Sequence, residues 1–311
     1  MPLDPEVKQL LAEMASAGMQ NICDMSPTNA RQQMRDALST LGAAEEVDHI
    51  TDRAVVGPHG DIAVRIYRND REALVPVLVF FHGGGWVVGD IETHDQYCRA
   101  LANAADVTVV SVDYRLAPEH PYPAAAEDCY AVTQWASENL ELLGGEPGKV
   151  AVGGDSAGGD LAAVVALMAR DRGGPEIAFQ LLIYPITDHD FERPSYHENA
   201  TGYGLTRQAM MWFWDHYVPQ KSDRDQAYAS PMRANDLADL PPAFIFTAEF
   251  DPLRDEAEAY AERLREAGCD VVLKRYDGVI HGFSRRLNQL EKARQALFDS
   301  AGQMNRVLRN S

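Results

Sequence analysis

The sequence predicts an α/β protein, an eight-stranded, mostly parallel sheet flanked by helices, with a long helical insertion over one end. Six short apolar runs carry the sheet: PVLVFF (76–81), VTVVSV (107–112), VAV (150–152), FQLLIY (179–184), AFIFTA (243–248) and VVLKRY (271–276). They lack alternation, as strands buried on both faces of a parallel sheet do. Helical segments fall between them, near 94–105, 124–143, 157–172, 255–267 and 286–309, which implies right-handed crossovers in a doubly wound sheet. The insertion is the 58 residues between Tyr184 and Ala243.

Before the first run, Pro5 to Met14 puts Val7, Leu10, Leu11 and Met14 on one helical face, and a second helix is expected over 28–41. Residues 47–56 and 61–69 read as two more strands, the second with Ile62, Val64 and Ile66 alternating, joined by a Gly-Pro-His-Gly turn. Within the insertion, LTRQAMMWFWDHYV (205–218) places Met210, Phe213, Trp214 and Tyr217 on one face. An insertion with its own apolar helix usually covers a site at the carboxyl edge of the strands.

Composition narrows the function. A chain of 311 residues with 46% apolar and 24% charged residues is that of an ordinary globular protein. The net charge of −19 disfavours nucleic acid and anionic membranes and steers anionic substrates away only mildly, within the roughly 8 Å that salt screening leaves. The amino terminus MPLDPEVKQL lacks a basic start and an apolar stretch, so a cytoplasmic protein is expected, and no run is long enough to span a bilayer. Cys23, Cys98, Cys129 and Cys269 lie too far apart for a metal cage or disulfide framework and are read as reduced, buried thiols. An edge strand such as 271–276 could pair across a homodimer.

The stretch VGGDSAGGD (152–160) carries the chemistry. Ser156 falls on the turn between a strand and a helix, and Gly154 and Gly158, two residues either side, leave the space such a sharp turn needs. A capping serine in a tight turn is the bland alternative. HGGGW (82–86) follows a buried strand and offers backbone donors at Gly83, Gly84 and Gly85, two of which, with Ala157, can form an oxyanion hole, Gly84 being expected among them. A serine hydroxyl needs a base, and the base an orienting acid. His281, in DGVIHGF, lies just past the last buried strand, at the edge where Ser156 emerges. His49 and His59 belong to the leading strand pair, His120 to a Pro-rich loop, and His189, His197 and His216 to the insertion, while His82 is expected to anchor the glycine loop. For the acid, EFDPLRDE points to Asp251, which could also be a helix cap before Pro252; Asp255 and Asp277 are the runners-up. Trp86, Met210 and Trp214 are candidates for an acyl pocket that bulky side chains would keep short, or else they only pack the cap onto the sheet.

Together HGGGW, YRLAPEHPYPAAAEDC (114–129), GDSAGG (154–159), EFDPLRDE (249–256) and IHGF (280–283) resemble the hormone-sensitive lipase family of α/β-hydrolases, the bacterial family IV carboxylesterases. The resemblance implies the α/β-hydrolase fold, with residues 1–45 as amino-terminal cap helices, 185–240 as the cap insertion, and 46–184 and 241–311 as the two parts of the core. It places Ser156, Asp251 and His281 on the positions of nucleophile, acid and base, and the HGGG loop on the oxyanion hole. It departs at Asp160, where asparagine is expected; a carboxylate in the first turn of a helix is electrostatically tolerable. The implied activity is hydrolysis of small carboxylic esters without cofactor or metal. An amidase or peptidase would use the same triad, and related folds that have lost the catalytic histidine serve as ligand receptors.

Overall fold

A computed structural model describes residues 2–309, so the outer limits of the sequence-based division, residues 1 and 311, lie outside the described part. The chain runs α1 (Pro5–Ser16), α2 (Pro27–Asp36), β1 (His49–Gly57), β2 (Gly60–Arg68), β3 (Val75–Phe81), α3 (Ile91–Ala105), β4 (Thr108–Asp113), α4 (Ala124–Glu138), α5 (Leu140–Leu143) and β5 (Gly145–Asp155). It continues α6 (Ala157–Arg172), β6 (Phe179–Ile183), α7 (Pro194–Glu198), α8 (Arg207–Tyr217), β7 (Ala243–Phe250), α9 (Arg254–Glu266), β8 (Val271–Ile280) and α10 (Glu291–Leu308).

The eight strands form one sheet in the order β1-β2-β4-β3-β5-β6-β7-β8. Only β2 runs against its neighbours; β3 to β8 are parallel. Successive side chains of a strand point to opposite faces, and the core divides accordingly. Val77, Val79, Phe81, Val152, Leu182 and Ile245 join α4, α6 and α9 on one side. Leu78, Phe80, Ala151, Leu181, Phe244 and Phe246 join α1, α3 and α10 on the other. Both faces are dry, which explains why these strands read as continuous apolar runs.

The helix expected over 28–41 ends at Asp36 and tightens into a 3₁₀ turn over 37–40, and the last strand runs on from Tyr276 to Ile280; other boundaries differ for local reasons. The strand read at 150–152 starts at Gly145, because Gly145 pairs with Val75 before a register shift lets Val150 pair with Val77; a segment holding Pro147 is admitted at such an irregularity. The helix expected over 124–143 breaks at Asn139, whose amide Nδ2 donates to the Trp135 carbonyl at 2.8 Å, a side-chain bond that competes with helix continuation. The helix expected from 94 starts at Ile91, where Asp90 and Thr93 form a capping box. The last helix starts at Glu291 instead of 286, because Phe283–Arg285 make a short 3₁₀ turn and Leu287 and Leu290 are buried ahead of it. All four cysteines are free, but only Cys98 and Cys129 are buried; Cys23 and Cys269 are partly exposed. No helix among the described residues is long and apolar enough to cross a membrane.

Candidate active site

The carboxyl ends of β3, β5, β7 and β8 meet at one edge of the sheet. At the end of β5, Ser156 adopts φ 58° and ψ −118° and leads directly into α6, a left-handed conformation that costs of order 1–3 kcal/mol and persists only when its surroundings enforce it. A Cβ at Gly158 would stand 1.9 Å from the Phe81 carbonyl oxygen, and one at Gly154 2.4 Å from the Gly158 backbone. The glycines thus make room for β3 and for the turn itself. Ser156 is 7% exposed, and the first N–H groups of α6, beginning with Ala157, have no partner within their own helix.

Opposite the serine, His281 directly follows β8. Its Nε2 lies 3.0 Å from Ser156 Oγ and its Nδ1 2.7 Å from Asp251 Oδ2. Asp251 is fully buried after β7, and its other oxygen, Oδ1, accepts from the Leu253 N–H at 2.9 Å. The helix-cap reading of Asp251 does not hold: α9 starts at Arg254 with Leu253 at its cap position, and Asp251 Oδ1 instead closes the turn ahead of the helix. Asp255 sits on α9, accepting from the Ser195 N–H and pairing with Arg254, and Asp277 lies within β8. His189 and His197 pair with Asp225 and Glu192 in the insertion. Behind His281, Tyr184 packs its ring at 4.7 Å and shares a hydrogen bond of 2.6 Å with Ser284 Oγ.

In the glycine loop the expected donors separate. Gly83 N–H donates to Asp155 Oδ1 at 2.8 Å and is committed there, whereas the Gly84 and Gly85 N–H groups have no acceptor among the described residues. The physical reason is Asp155, a fully buried carboxylate that needs donors. A Cβ would lie 2.1 Å from the Val88 carbonyl oxygen at Gly84 and 2.2 Å from the Phe213 ring at Gly85, so neither position has space for a side chain. His82 anchors the loop as expected: its Nδ1 lies 2.8 Å from the Gly83 oxygen and its ring stacks on Tyr114 at 4.2 Å. Burial pushes the His82 imidazole down to about 4, so it is neutral at pH 7. Sequence reasoning passed over His94, whose Nε2 lies 3.1 Å from Asp155; its one signal is a place in the first turn of the helix after HGGGW.

A cavity of about 430 Å³ opens over Ser156 and His281 and runs beneath the amino-terminal helices, past Met14, Met34, Leu38, Met210 and Phe213. Of the three residues expected to wall it, Met210 does. Trp86 and Trp214 do not: both are fully buried behind it, Trp86 stacked on Tyr217 at 4.1 Å and edge-on to Trp214 at 5.1 Å. Helical spacing put Trp214 on the inner face of α8, but that face meets Trp86 of the loop after β3 as well as the cavity. The Trp86 indole N–H donates to Asp160 Oδ2 at 3.2 Å, and Asp160 Oδ1 has no partner. Burial, reinforced by the charge of Glu256 and only partly offset by Trp86, raises the Asp160 carboxyl well above the usual range. Burial thus outweighs the first-turn electrostatics that made a carboxylate tolerable.

A family model for the alpha/beta hydrolase fold matches residues 78–285. The chain is 43% identical over 289 residues to the carboxylic ester hydrolase LipN of Mycobacterium tuberculosis, covering 90% of this chain and 77% of that one. To the ethyl acetate hydrolase of Pseudomonas putida it is 36% identical, with 96% of each chain covered. The hyperthermophilic esterase from the archaeon Pyrobaculum calidifontis has a similar structure, with a TM-score of 0.94 at 44% identity over 98% of this chain and 99% of that one. Likeness of this extent leaves one assignment: the chain belongs to the α/β-hydrolase family, in the hormone-sensitive lipase group that its motifs resemble.

Proposed function

We infer that the protein is a serine carboxylesterase, hydrolysing short- to medium-chain esters through an acyl-enzyme. The observation that carries the reading is the unbroken chain Ser156 Oγ, His281, Asp251, with separations of 3.0 and 2.7 Å. His281 takes the serine proton as Oγ attacks the ester carbonyl, then returns it to the leaving alkoxide, while Asp251 fixes the imidazole tautomer. The N–H groups of Gly84, Gly85 and Ala157 receive the oxyanion; one such donor is typically worth about 2.7–4 kcal/mol in the transition state. Water then attacks the acyl-enzyme by the same route. The amino-terminal helices and residues 185–240 act as the cap that excludes bulk water, with Met210 in the pocket wall.

No cofactor enters this chemistry, the protein works in the cytoplasm, and β8, the last strand of the sheet, is the edge at which a homodimer would pair. Support for ester substrates comes from relatives that carry ester hydrolase names. Ser156→Ala should abolish p-nitrophenyl butyrate hydrolysis with circular dichroism unchanged; turnover at the wild-type rate would refute the serine route. A C2–C12 acyl series tests the size preference, which fails if kcat/KM rises steadily through C12. A matched ester and anilide pair distinguishes this reading from an amidase.

A further inference from the structure

Two consecutive arginines, Arg285 and Arg286, line the cavity over Ser156, whose one lining carboxylate, Asp155, is bonded to His94 and the Gly83 N–H and also feels the charge of Arg285. Neither guanidinium forms an ion pair among the described residues. Arg285 Nη1 donates to the Thr93 carbonyl at 3.4 Å, and its Nε is buried with no acceptor. Arg286 Nη1 donates to Thr40 Oγ1 at 3.0 Å and Gln289 Oε1 at 3.2 Å, both neutral. Arg286 is half-buried, a setting in which cations are normally paired, and this chain has 47 acidic residues against 28 basic ones, so a guanidinium there with only neutral partners is notable.

Arg286 stands where the catalytic cavity meets a second one of about 540 Å³ between α1, α2 and the loop before α10. The facing charges are few. Asp155, in the catalytic cavity, is held by His94 and the Gly83 N–H. Glu13 and Asp36, in the second, accept from Gln9 and Gln32. Burial and the neighbouring Arg285 pull the Arg286 guanidinium down to about 10, with Glu13 opposing, so it remains charged at pH 7 but in a site that penalises the charge. From Ser156 to Arg286 the cavity wall includes the apolar Met14, Met34 and Leu38.

We propose that this cleft accepts an ester with one apolar arm ending in a carboxylate, which Arg286 binds while Ser156 attacks the ester carbonyl. A guanidinium is suited to a carboxylate because its planar fork can donate two parallel N–H bonds. The negative surface does not favour such a substrate at a distance, so its selection depends on the cleft. The inference rests on the esterase reading and is tested separately from it.

The test measures kcat/KM for p-nitrophenyl monoesters of C4–C10 dicarboxylic acids against neutral acyl esters of equal length, and for acetates of ω-hydroxy acids against acetates of the plain alcohols. The two series tell whether the charged arm is the acyl or the alcohol half. At one chain length in at least one series the charged ester should be preferred at least tenfold, with Arg286→Gln erasing the preference and Arg286→Lys keeping part of it. Because the preference is a ratio within one protein, general loss of activity in a variant cancels. Neutral esters turned over equally well or better at every length in both series would overturn the proposal while leaving the esterase reading intact, and so would a preference undiminished in Arg286→Gln. Failure to hydrolyse every ester, p-nitrophenyl acetate included, would overturn both.

Discussion

The end of β5 and the first turn of α6 flank Ser156 with two buried carboxylates, and the two behave oppositely. Asp155 and Asp160 are 3% and 0% exposed, so desolvation pushes both upward. At Asp155 the charge of His94, its hydrogen bond, the charge of Arg285 and the Gly83 N–H reverse the effect, and the carboxyl falls well below its ordinary range. Asp160 has one donor, the Trp86 indole, and an oxygen without a partner. Burial alone therefore does not decide which way a carboxyl shifts; the donors and positive charges brought to it do. Asp155, held low, fixes the glycine loop, and Asp160, pushed up, fills space behind Trp86.

Removing Asp155 should have the largest effect. Asp155→Ala leaves the Gly83 N–H and His94 without their buried acceptor, and breaking such a pair typically costs about 3–5 kcal/mol. Urea unfolding at pH 7 should show a loss of that size, and kcat should fall because Gly83 no longer fixes the loop that presents Gly84 and Gly85. Asp155→Asn keeps an acceptor for Gly83 and should lose less of both. Stability within about 0.5 kcal/mol of wild type in the alanine variant would mean that Asp155 does not anchor the loop.

Asp160→Asn should have a smaller effect with a different pH signature. A carboxyl whose folded pKa is raised binds its proton in the folded protein while the unfolded chain has released it, so its cost to stability grows as pH rises from about 4 toward the folded pKa. Asparagine has no such cost and retains an oxygen for the Trp86 N–H. The variant should therefore gain on wild type as pH increases from 5 to 8, read from urea midpoints at constant m. A difference independent of pH would show that Asp160 has an ordinary carboxyl pKa. For Asp155 the sign reverses: its stabilisation is present above the unfolded pKa near 4 and is lost as pH falls.

The contrast also shows which parts of the site the sequence could express. The serine, its glycines and the strand ends were legible because backbone sterics fix them locally: Gly158 must be glycine to pass the Phe81 oxygen, and that demand appears as a motif. Apolar runs marked the strands because both faces of the sheet are covered. His94 was invisible because it meets Asp155 across 61 residues, and only the fold brings them together. The pocket wall was misjudged for a related reason. Helical spacing shows that Met210 and Trp214 share a face of α8, but not that Met210 borders the cavity while Trp214 turns against Trp86. The Asn139 break was missed because apolar periodicity says nothing of an amide that bonds its own backbone.

The comparison can be sharpened by a third carboxylate that has donors but little burial. Glu119 accepts from Arg31 of α2 through both oxygens, at 2.8 and 2.6 Å, and Arg31 pulls its carboxyl down to about 2. Its side chain is 52% exposed, so water and salt screen the pair and its contribution should be below about 1 kcal/mol. Arg31 also donates to the carbonyls of Val87 and Ala117, at 2.8 and 2.9 Å, and these bonds survive loss of the carboxylate. Glu119→Gln should therefore cost little at pH 7 in low salt, and less still in 1 M NaCl. Because the folded pKa is depressed, the deficit should be complete above about pH 4.5 and shrink as pH falls toward 2. A deficit approaching that of Asp155→Ala would mean that pairing alone, without burial, sets the value of a carboxylate here, and the lesson drawn from the two residues beside Ser156 would be wrong.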